Sequence, residues 1–295
     1  MPMASMVKYV IISPVRNEER FIEKTIFSVI SQTLIPVEWV IMNDGSTDRT
    51  KEIIEKYSGE FNWIKCISIK DKGFRAGVGP SEAFNEGFRH ISKDFDFLVN
   101  LDGDITFEQD YFSMLLQKFI VMPKLGIASG KMYYLENNKM VLYRTSDSSV
   151  IGASKVYRKK CFEDIGGRLD SSISWDLLDE LKAQISGWET RSFPEVAFIH
   201  HKRIGSMSGN QFKMYFNEGK ILYFYGYHPL YFLAKSLYRG LEKPYFVRTF
   251  LMLLGFLTSF LKRTPQFDRK DLINFLRKKQ IEKLKAILSF RRNIL

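Results

Sequence analysis

Two clusters of acidic residues follow apolar segments of the chain and could bind a cation. Asp102-Gly103-Asp104 comes directly after an apolar segment, and Asn43-Asp44-Gly45-Ser46-Thr47-Asp48 follows another. Taken alone, such clusters are often only turns. Two carboxylates one residue apart repel each other, however, unless a cation lies beside them. Oxygen ligands suit Mg²⁺ or Mn²⁺, which keep coordination positions for phosphate oxygens. We therefore expect Asp102 and Asp104 to bind one of these metals next to a diphosphate.

Strand and helix patterns alternate in the first half of the chain and position both clusters. Apolar segments predict four strands, at Tyr9–Ile12, Val37–Met42, Trp63–Ile69 and Phe95–Leu101. Helical patterns lie between them, at Glu18–Gln32 with Asn17 as its N-cap, Asp48–Tyr57 and Pro80–Ile91. This alternation predicts a parallel sheet, in which ligands bind beyond the carboxyl ends of the strands. The two acidic clusters should therefore face one crevice.

The second half of the chain has a mixed pattern before it becomes helical. Further strands are predicted at Ile127–Tyr134, Val141–Arg144, Val150–Tyr157 and Glu189–His200. The segment Trp175–Ser186 predicts a helix that ends at Gly187, and helical periodicity continues from Gln211.

The segment Tyr9–Thr50 resembles the opening of the family 2 glycosyltransferases. It reads YVIISPVRNEERFIEKTIFSVISQTLIPVEWVIMNDGSTDRT, with Pro-x-x-Asn-Glu, Ser-x-x-x-Gln and Asp-Gly-Ser-Thr-Asp in the family's order. Asp102-Gly103-Asp104 lies where the family carries its Asp-x-Asp motif, and the resemblance covers roughly the first two-thirds of the chain. It implies an α/β GT-A fold, with a mostly parallel central sheet flanked by helices. Residues 1–208 would form this catalytic domain, and 209–295 a helical, basic extension.

The resemblance also implies a role for each matching residue. Pro14, Asn17 and Glu18 would line the nucleotide pocket, and Asp44 would hydrogen-bond the base or ribose. Asp102 would contact the ribose or the metal, while Asp104 would hold the metal. Arg75 lies where the family often has a basic residue that binds the donor.

A carboxylate further along the chain could act as a general base. An acceptor hydroxyl is a poor nucleophile, and a carboxylate within hydrogen-bond reach can take its proton. Trp175-Asp176-Leu177-Leu178-Asp179-Glu180, followed by Gly187-Trp188, resembles the family's Glu-Asp motif and places Asp176 on the family's base. Trp175 stands where the family has Glu, and Asp179 and Glu180 are alternative bases. Asp176 could equally cap the helix, and both roles are compatible.

Two adjacent histidines end the last predicted strand. In relatives a histidine after the base often completes the metal shell, which implies this role for His200 or His201. Adjacent residues of a strand point to opposite sides, so only one of them should face the site. The alternative is a solvent-exposed basic loop.

The resemblance implies a reaction as well as a fold. It implies direct displacement with inversion, and the Gln-x-x-Arg-Trp motif of processive relatives is absent. We therefore expect transfer of one sugar from a nucleotide-diphosphate sugar, foremost a UDP-sugar, to a hydroxyl of a lipid-linked or cell-surface glycan precursor. The alternatives are a polyprenyl-phosphate glycosyltransferase, for which Asp176 would be dispensable, and a non-enzymatic scaffold that retains the fold.

Charge and aromatic residues concentrate towards the C-terminus. The net charge is +11, and residues 262–295 carry eleven Lys/Arg against three Asp/Glu. Three features predict contact with an anionic membrane surface: an aromatic-rich segment, an apolar run at Thr249–Leu261 and a basic amphipathic helix at Leu272–Leu288. The alternative is that these helices simply pack on the catalytic domain. The apolar run is shorter than the ~20 residues needed to span a bilayer.

The remaining expectations concern location and nucleic acid. Two cysteines and an N-terminus without an export signal predict a cytoplasmic protein, peripheral at the inner face of the cell membrane. Nucleic-acid binding is not expected, because no nucleic-acid motif is present and residues 1–261 are only mildly basic.

Overall fold

The structure, a computed structural model, describes residues 7–73, 75, 78–136, 139–169, 175–202, 211–240 and 245–292, with side chains up to residue 287. The chain divides into two compact units, Met1–Arg203 and Ile204–Leu295.

The first half of the first unit is the predicted alternation of strands and helices. The strands are β1 (Tyr9–Val15), β2 (Glu38–Asp44), β3 (Ile64–Ile69) and β4 (Phe97–Leu101). They pair in the order β3-β2-β1-β4, and every pairing is parallel. The helices between them are α1 (Ile22–Ile30), α2 (Thr50–Glu60) and α3 (Val78–Arg89). This arrangement brings the carboxyl ends of β2 and β4 to the same edge of the sheet.

Both faces of this parallel sheet are buried, which explains its almost uninterrupted apolar strands. Ile11 and Val99 pack in one core cluster, on the α1 side of the sheet. Val10 and Leu98, which alternate with them, pack in the second cluster with Phe84 of α3. Alternate residues along each strand therefore pack on opposite faces of the sheet.

The second half of the first unit adds antiparallel strands. Its elements are β5 (Ile105–Phe107), α4 (Tyr111–Val121), β6 (Leu125–Glu136), β7 (Lys139–Leu142), β8 (Ser154–Arg158), α5 (Lys159–Asp164), α6 (Trp175–Ile185) and β9 (Glu189–His200). The sheet continues as β4-β8-β6-β9-β5, with β7 paired to β6. Strand β8 is antiparallel to β4, whereas β6 and β9 are parallel. The bounds predicted for β9 match the structure, and β5, α4 and α5 are elements that the sequence reasoning did not identify.

Two starting points predicted in this unit were wrong. The strand expected from Val150 begins at Ser154, because residues 152–153 form a turn before it. The helix expected from Glu18 begins at Ile22, and Asn17 is not its N-cap. Asn17 instead has a φ of +54°, in the left-handed region that Asn tolerates better than most residues. The carbonyl of Glu18 accepts hydrogen bonds from the backbone of Phe21 and Ile22. Residues 17–21 therefore form a turn between β1 and α1.

The second unit is helical in the part that the structure describes. It contains α7 (Gln211–Phe224), α8 (Pro229–Arg239), α9 (Val247–Leu261) and α10 (Lys270–Arg292). Helices α7 and α9 cross at two glycines, since a Cβ at Gly219 or Gly255 would lie 2.0 Å from a carbonyl oxygen of the opposite helix. The rings of Phe232 (α8) and Phe256 (α9) stack at 4.2 Å. None of the described helices is long and apolar enough to cross a bilayer.

Candidate functional site

The acidic pair after β4 meets a histidine at the end of β9. Strand β5, which begins directly after Asp104, pairs with β9 so that Ile105 lies opposite His200. The backbone amide of His201 donates a hydrogen bond of 2.9 Å to the carbonyl of Asp104. One ligand atom from each of Asp102, Asp104 and His200 lies within 4.8 Å of the others. Among the residues that the structure describes, this is the group that could hold a metal ion.

The hydrogen bonding of His200 leaves one ring nitrogen free to act as a ligand. Its Nδ1 lies 2.8 Å from the carbonyl oxygen of Lys202, and a carbonyl only accepts, so Nδ1 carries the proton. In the neutral ring, Nε2 then has a lone pair, and it lies 3.5 Å from Oδ1 of Asp104. With Nε2 unprotonated, two acceptor atoms face each other here, and a cation between or beside them would satisfy both. A backbone partner that fixes the tautomer in this way is usual for metal-bound histidine.

His201 lies on the other side of the strand. Its Nε2 is 2.9 Å from Oγ1 of Thr106, and its ring stacks on Phe21 at 5.6 Å. Burial and the charge of Lys24 lower the pKa of His201. Of the two predicted ligands, the structure brings His200 to the carboxylates and leaves His201 outside that group.

Negative charge is concentrated and partly desolvated around the cluster. Burial and the charge of Asp104 raise the pKa of Asp102 to about 6. The same two causes raise the pKa of Glu18 to about 7, although Lys202 pairs with one oxygen of this carboxylate and opposes the shift. The other oxygen of Glu18 is buried and has no hydrogen-bond partner among the described residues. Several carboxylates and an imidazole nitrogen at one place suit a divalent cation such as Mn²⁺ or Mg²⁺.

The carboxylate at the end of β2 lies between two arginines. Nη2 of Arg75 is 3.3 Å from Oδ2 of Asp44, and Arg16 donates to the backbone carbonyl of Asp44. Arg16 also forms an ion pair of 2.8 Å with Asp71. Burial raises the pKa of Asp44, and the charges of Arg75 and Arg16 oppose the rise. Sequence reasoning missed Arg16 and Asp71, which lie 55 positions apart and carry no local signal.

Next to Asp44 the backbone itself is constrained. Gly45 has a φ of +63°, and a Cβ there would lie 2.6 Å from the Cβ of Asp71. A side chain at position 45 would therefore displace the loop that carries Asp71 and Arg75.

The predicted nucleotide-pocket residues of the first loop hold two loops together. Oδ1 of Asn17 accepts a hydrogen bond of 2.8 Å from the backbone amide of Thr47. The amide of Glu18 donates to Oγ1 of Thr50 at 2.7 Å. Pro14, half-buried near the end of β1, pairs with Met42 of β2. The loop after β1 is thereby fixed against the acidic loop after β2, and both lie at the carboxyl edge of the sheet.

Asp176 is joined to the acidic cluster by a short backbone segment. It lies in the first turn of α6 and is therefore not the N-cap. A Cβ at Gly152 would lie 3.6 Å from the Cβ of Asp176, so the two residues are adjacent. The side-chain amide of Asn100 donates a hydrogen bond of 2.8 Å to the carbonyl of Gly152. The backbone amide of Asp102 donates one of 2.9 Å to the carbonyl of Ala153. Residues 152–153 thus separate the candidate base from the candidate metal ligands.

The two alternative bases are occupied in structural contacts. Asp179 is fully buried and accepts a hydrogen bond of 2.7 Å from the hydroxyl of Tyr157. Glu180 accepts one of 3.0 Å from the backbone amide of Val150. Half-buried Asp176 is the most accessible of the three carboxylates.

A buried lysine beside Asp176 also escaped the sequence reasoning. Lys155 of β8 has no exposed surface, and its Nζ donates a hydrogen bond of 2.8 Å to the backbone carbonyl of Asp176. The same ammonium group lies 5.1 Å from the ring centroid of Trp175. A lysine inside the predicted strand Val150–Tyr157 was the available signal, because a charged side chain facing a core needs a partner.

The sheet order, the carboxylates at the carboxyl edge and the Asp-Asp-His group define an α/β protein with a candidate cation site. A sequence profile described as glycosyl transferase family 2 matches residues 10–168. The chain belongs to this family, as its opening motifs predicted.

Similar proteins agree with the family assignment. Glycosyltransferase GlyA of Streptococcus pneumoniae is 30% identical over 239 residues, which cover 78% of this chain. Minor teichoic acid biosynthesis protein GgaA of Bacillus subtilis is 28% identical over 224 residues, or 72% of this chain. The chain spans 30% of the length of the first and 46% of the second.

Solved structures share the fold at low sequence identity. A fragment of S. aureus TarS in complex with UDP-GlcNAc has a TM-score of 0.55 and 18% identity, with 92% of this chain and 80% of that chain covered. Mannosyltransferase PcManGT from Pyrobaculum calidifontis, in complex with GDP-Man and Mn²⁺, has a TM-score of 0.56 and 13% identity, with coverage of 97% and 77%. The predicted GT-A fold is therefore confirmed.

Proposed function

We propose that this protein transfers a single sugar from a nucleotide-diphosphate sugar to an acceptor hydroxyl, with inversion and with the help of a divalent metal. The observation that carries the proposal is the placement of Asp102, Asp104 and His200 at the carboxyl edge of the sheet, one backbone segment away from Asp176. Membership of the family supports the reaction class.

Asp102, Asp104 and His200 are the residues that would hold Mn²⁺ or Mg²⁺. When bound, such an ion supplies positive charge next to the diphosphate that leaves the sugar. The raised pKa of Asp102 supports this role, because a carboxylate held among like charges gains most from a cation. PcManGT was solved with Mn²⁺, and its structure shares this fold.

The donor nucleotide would lie along the loops after β1 and β2. Asp44 can accept hydrogen bonds from a base or a ribose, and Arg75 beside it can bind an anionic part of the donor. Pro14, Asn17 and Glu18 would line the same pocket. UDP-GlcNAc in TarS and GDP-Man in PcManGT support a nucleotide-sugar donor, and we favour a UDP-sugar.

Asp176 would take the proton of the acceptor hydroxyl as that oxygen attacks the sugar carbon. One base on the acceptor side suffices for direct displacement, which inverts the anomeric centre and needs no covalent intermediate. Lys155 fixes the backbone of Asp176, so this carboxylate would be held in place.

The relatives and the distribution of charge support a proposal for the acceptor and for the location. GgaA is named for teichoic acid biosynthesis, which supports a cell-surface or lipid-linked glycan precursor as acceptor. The first unit has 27 Lys/Arg against 28 Asp/Glu, whereas the second has 17 against 5. We therefore propose a catalytic domain at 1–208 and a membrane-associated extension at 209–295, peripheral at the inner face of the cell membrane. Nucleic acid is not among the proposed partners.

The test is thermal stabilisation by a panel of nucleoside diphosphates, with and without Mn²⁺. A ligand that binds the folded state raises the melting temperature by mass action. One diphosphate should stabilise the wild type only with Mn²⁺, and Asp104→Asn should abolish this effect. Asp94→Asn is the matched control, because Asp94 is exposed and pairs with Lys159. If no diphosphate shifts the wild type, the donor site does not exist.

Transfer with the identified donor then separates the two enzyme hypotheses. Asp176→Asn should abolish transfer to a hydroxyl while nucleotide stabilisation persists. Full activity of Asp176→Asn would instead indicate a phosphate acceptor, which needs little help from a base.

A further inference from the structure

Helix α9 presents a stripe of large apolar side chains to solvent. Phe250, Leu254, Leu257 and Leu261 are 65%, 42%, 50% and 69% exposed. Their spacing of four, three and four residues places them on one side of the helix. Exposed apolar residues are common singly, but a contiguous row of this size marks an interaction surface.

The opposite side of α9 is already fixed within the second unit. Met252 has no exposed surface, and Thr249 and Ser259 are also buried. A Cβ at Gly255 would lie 2.0 Å from the carbonyl oxygen of Phe216, so α7 and α9 are in close backbone contact. Rotating α9 to cover the stripe would break this crossing. The stripe is therefore a stable feature of the unit.

The neighbouring helix carries a second stripe of the same kind. Leu230, Leu233 and Leu237 of α8 are 65%, 43% and 51% exposed, and their spacing of three and four residues again defines one side. The two helices are joined by the Phe232–Phe256 ring stack and by a hydrogen bond from Oγ1 of Thr249 to the carbonyl of Ser236. Two adjacent helices therefore both expose apolar surface.

The charges around these stripes distinguish between a lipid surface and a second copy of the chain as the binding partner. No charged residue occurs from Thr249 to Leu261, and exposed Lys262 and Arg263 follow at once. The second unit has a net charge of +12, from 17 Lys/Arg against 5 Asp/Glu. Two copies of such a unit repel each other, whereas anionic lipid attracts it. Apolar side chains edged by lysine and arginine match the boundary between acyl chains and anionic headgroups.

The length of α9 fixes its orientation at a bilayer. Fifteen residues make a helix about 22 Å long, shorter than the hydrocarbon core of about 30 Å. With its other side packed on α7, the helix can lie along the interface but cannot cross it.

We infer that the exposed stripes of α8 and α9 form a docking surface for an anionic bilayer, with α9 in the plane of the interface. Leu254 and Leu257 enter the acyl boundary, and Lys262 and Arg263 contact lipid phosphates. This inference rests on the proposed membrane association and names the surface that produces it.

The experiment is sedimentation of the full-length protein with vesicles of phosphatidylcholine, with and without 30 mol% phosphatidylglycerol (a composition of roughly physiological surface charge). The wild type should bind the anionic vesicles and lose affinity with added salt. The double variant Leu254→Glu/Leu257→Glu should bind about a hundredfold more weakly, because two apolar side chains are no longer transferred from water.

A matched control separates this surface from a general charge effect. Ile120→Glu/Val121→Glu makes the same charge change at apolar residues of the first unit that are 42% and 66% exposed. It should bind vesicles like the wild type. Circular dichroism and an unchanged melting temperature would show that both double variants are folded. Leu257→Trp gives a second readout, since brominated lipid should quench its fluorescence on binding.

Each remaining result overturns part of the inference. Equal binding of Leu254→Glu/Leu257→Glu and the wild type would exclude these stripes as the docking surface but leave membrane association intact. No vesicle binding by the wild type would exclude both. A concentration-dependent dimer that the same variant dissociates, without vesicle binding, would identify a second copy of the chain as the occupant. Nucleotide stabilisation is independent of all these outcomes and tests the transferase function separately.

Discussion

The buried carboxylate of Glu18 should destabilise the metal-free protein, and Glu18→Gln should remove that effect. Glu18 is 9% exposed, and its pKa rises from the ordinary 4.5 to about 7, first through burial and then through the charge of Asp104. The folded protein keeps this proton up to about pH 7, while the unfolded chain releases it near 4.5. Stability therefore falls as the pH rises from 4.5 to 7, and the loss is complete above 7.

The size of the effect follows from the two pKa values. Their difference corresponds to about 3 kcal/mol at pH 8, since one pKa unit equals about 1.4 kcal/mol. Glutamine keeps the shape of the side chain without ionising. Glu18→Gln should therefore be about 3 kcal/mol more stable than the wild type at pH 8 and about equally stable at pH 4.5. Lys202 loses its partner in the variant but is 23% exposed and can be hydrated.

Urea denaturation in EDTA, followed by tryptophan fluorescence, measures this difference in free energy for the first unit, which contains Glu18. All four tryptophans (Trp39, Trp63, Trp175 and Trp188) lie in the first unit. Glu60→Gln, at the exposed end of α2, is the control and should change stability by less than about 0.5 kcal/mol at either pH. A Glu18→Gln variant that is no more stable than the wild type at pH 8 would refute the reasoning, because the carboxylate would then be well solvated or well paired.

Three further predictions follow from buried or crowded side chains. Burial opposes ionisation of Glu38, but hydrogen bonds from Lys65 and residues 92–93 outweigh it and lower its pKa to about 2, so Glu38→Gln should lose about 3 kcal/mol at pH 7 in urea denaturation. That loss should shrink by about 1.4 kcal/mol per pH unit between 4.5 and 2. Glu52→Gln, at an exposed position, is the control and should change stability only slightly at pH 7. Gly255→Ala should destabilise the second unit by about 1–3 kcal/mol or more in thermal melts, because the new Cβ would collide with the carbonyl oxygen of Phe216. Gly59→Ala is the control, since nothing lies near that position, and it should stabilise its helix by up to about 1 kcal/mol. Lys155→Met should slow transfer without weakening nucleotide-dependent stabilisation, since its ammonium group holds α6 rather than the donor side; equal loss of both would show a general structural role.

The parallel half of the sheet could be predicted because its pattern is local. Strands buried on both faces read as short apolar segments, and helices with one apolar side separate them. Helix α4 was missed because its residues give no clear stripe. Leu115, Leu116 and Phe119 are buried, but exposed Ile120 and Val121 are apolar too. An apolar segment of this kind does not distinguish a helix from a strand.

The parts of the site that could not be predicted depend on distant pairings. Arg16 reaches Asp44 and Asp71 across 28 and 55 positions, and Lys202 reaches Glu18 across 184. The choice between His200 and His201 was left open because alternation shows only that they differ. The fold brings the ring of His200, and not that of His201, close to Asp102 and Asp104.

Strand β8 explains why the candidate base and the candidate metal ligands belong to one site. It returns antiparallel to β4, so that Lys155 lies opposite Asn100, two residues before Asp102. The segment before it is bonded to β4 through Asp102 and lies against Asp176 at Gly152. Lys155 then fixes the first turn of α6 from the same strand. The spacing between the candidate metal ligands and the candidate base is therefore set by β8 together with the turn at residues 152–153 that precedes it. The proposed displacement reaction would need such fixed spacing, because the attacking oxygen and the leaving group must stay aligned.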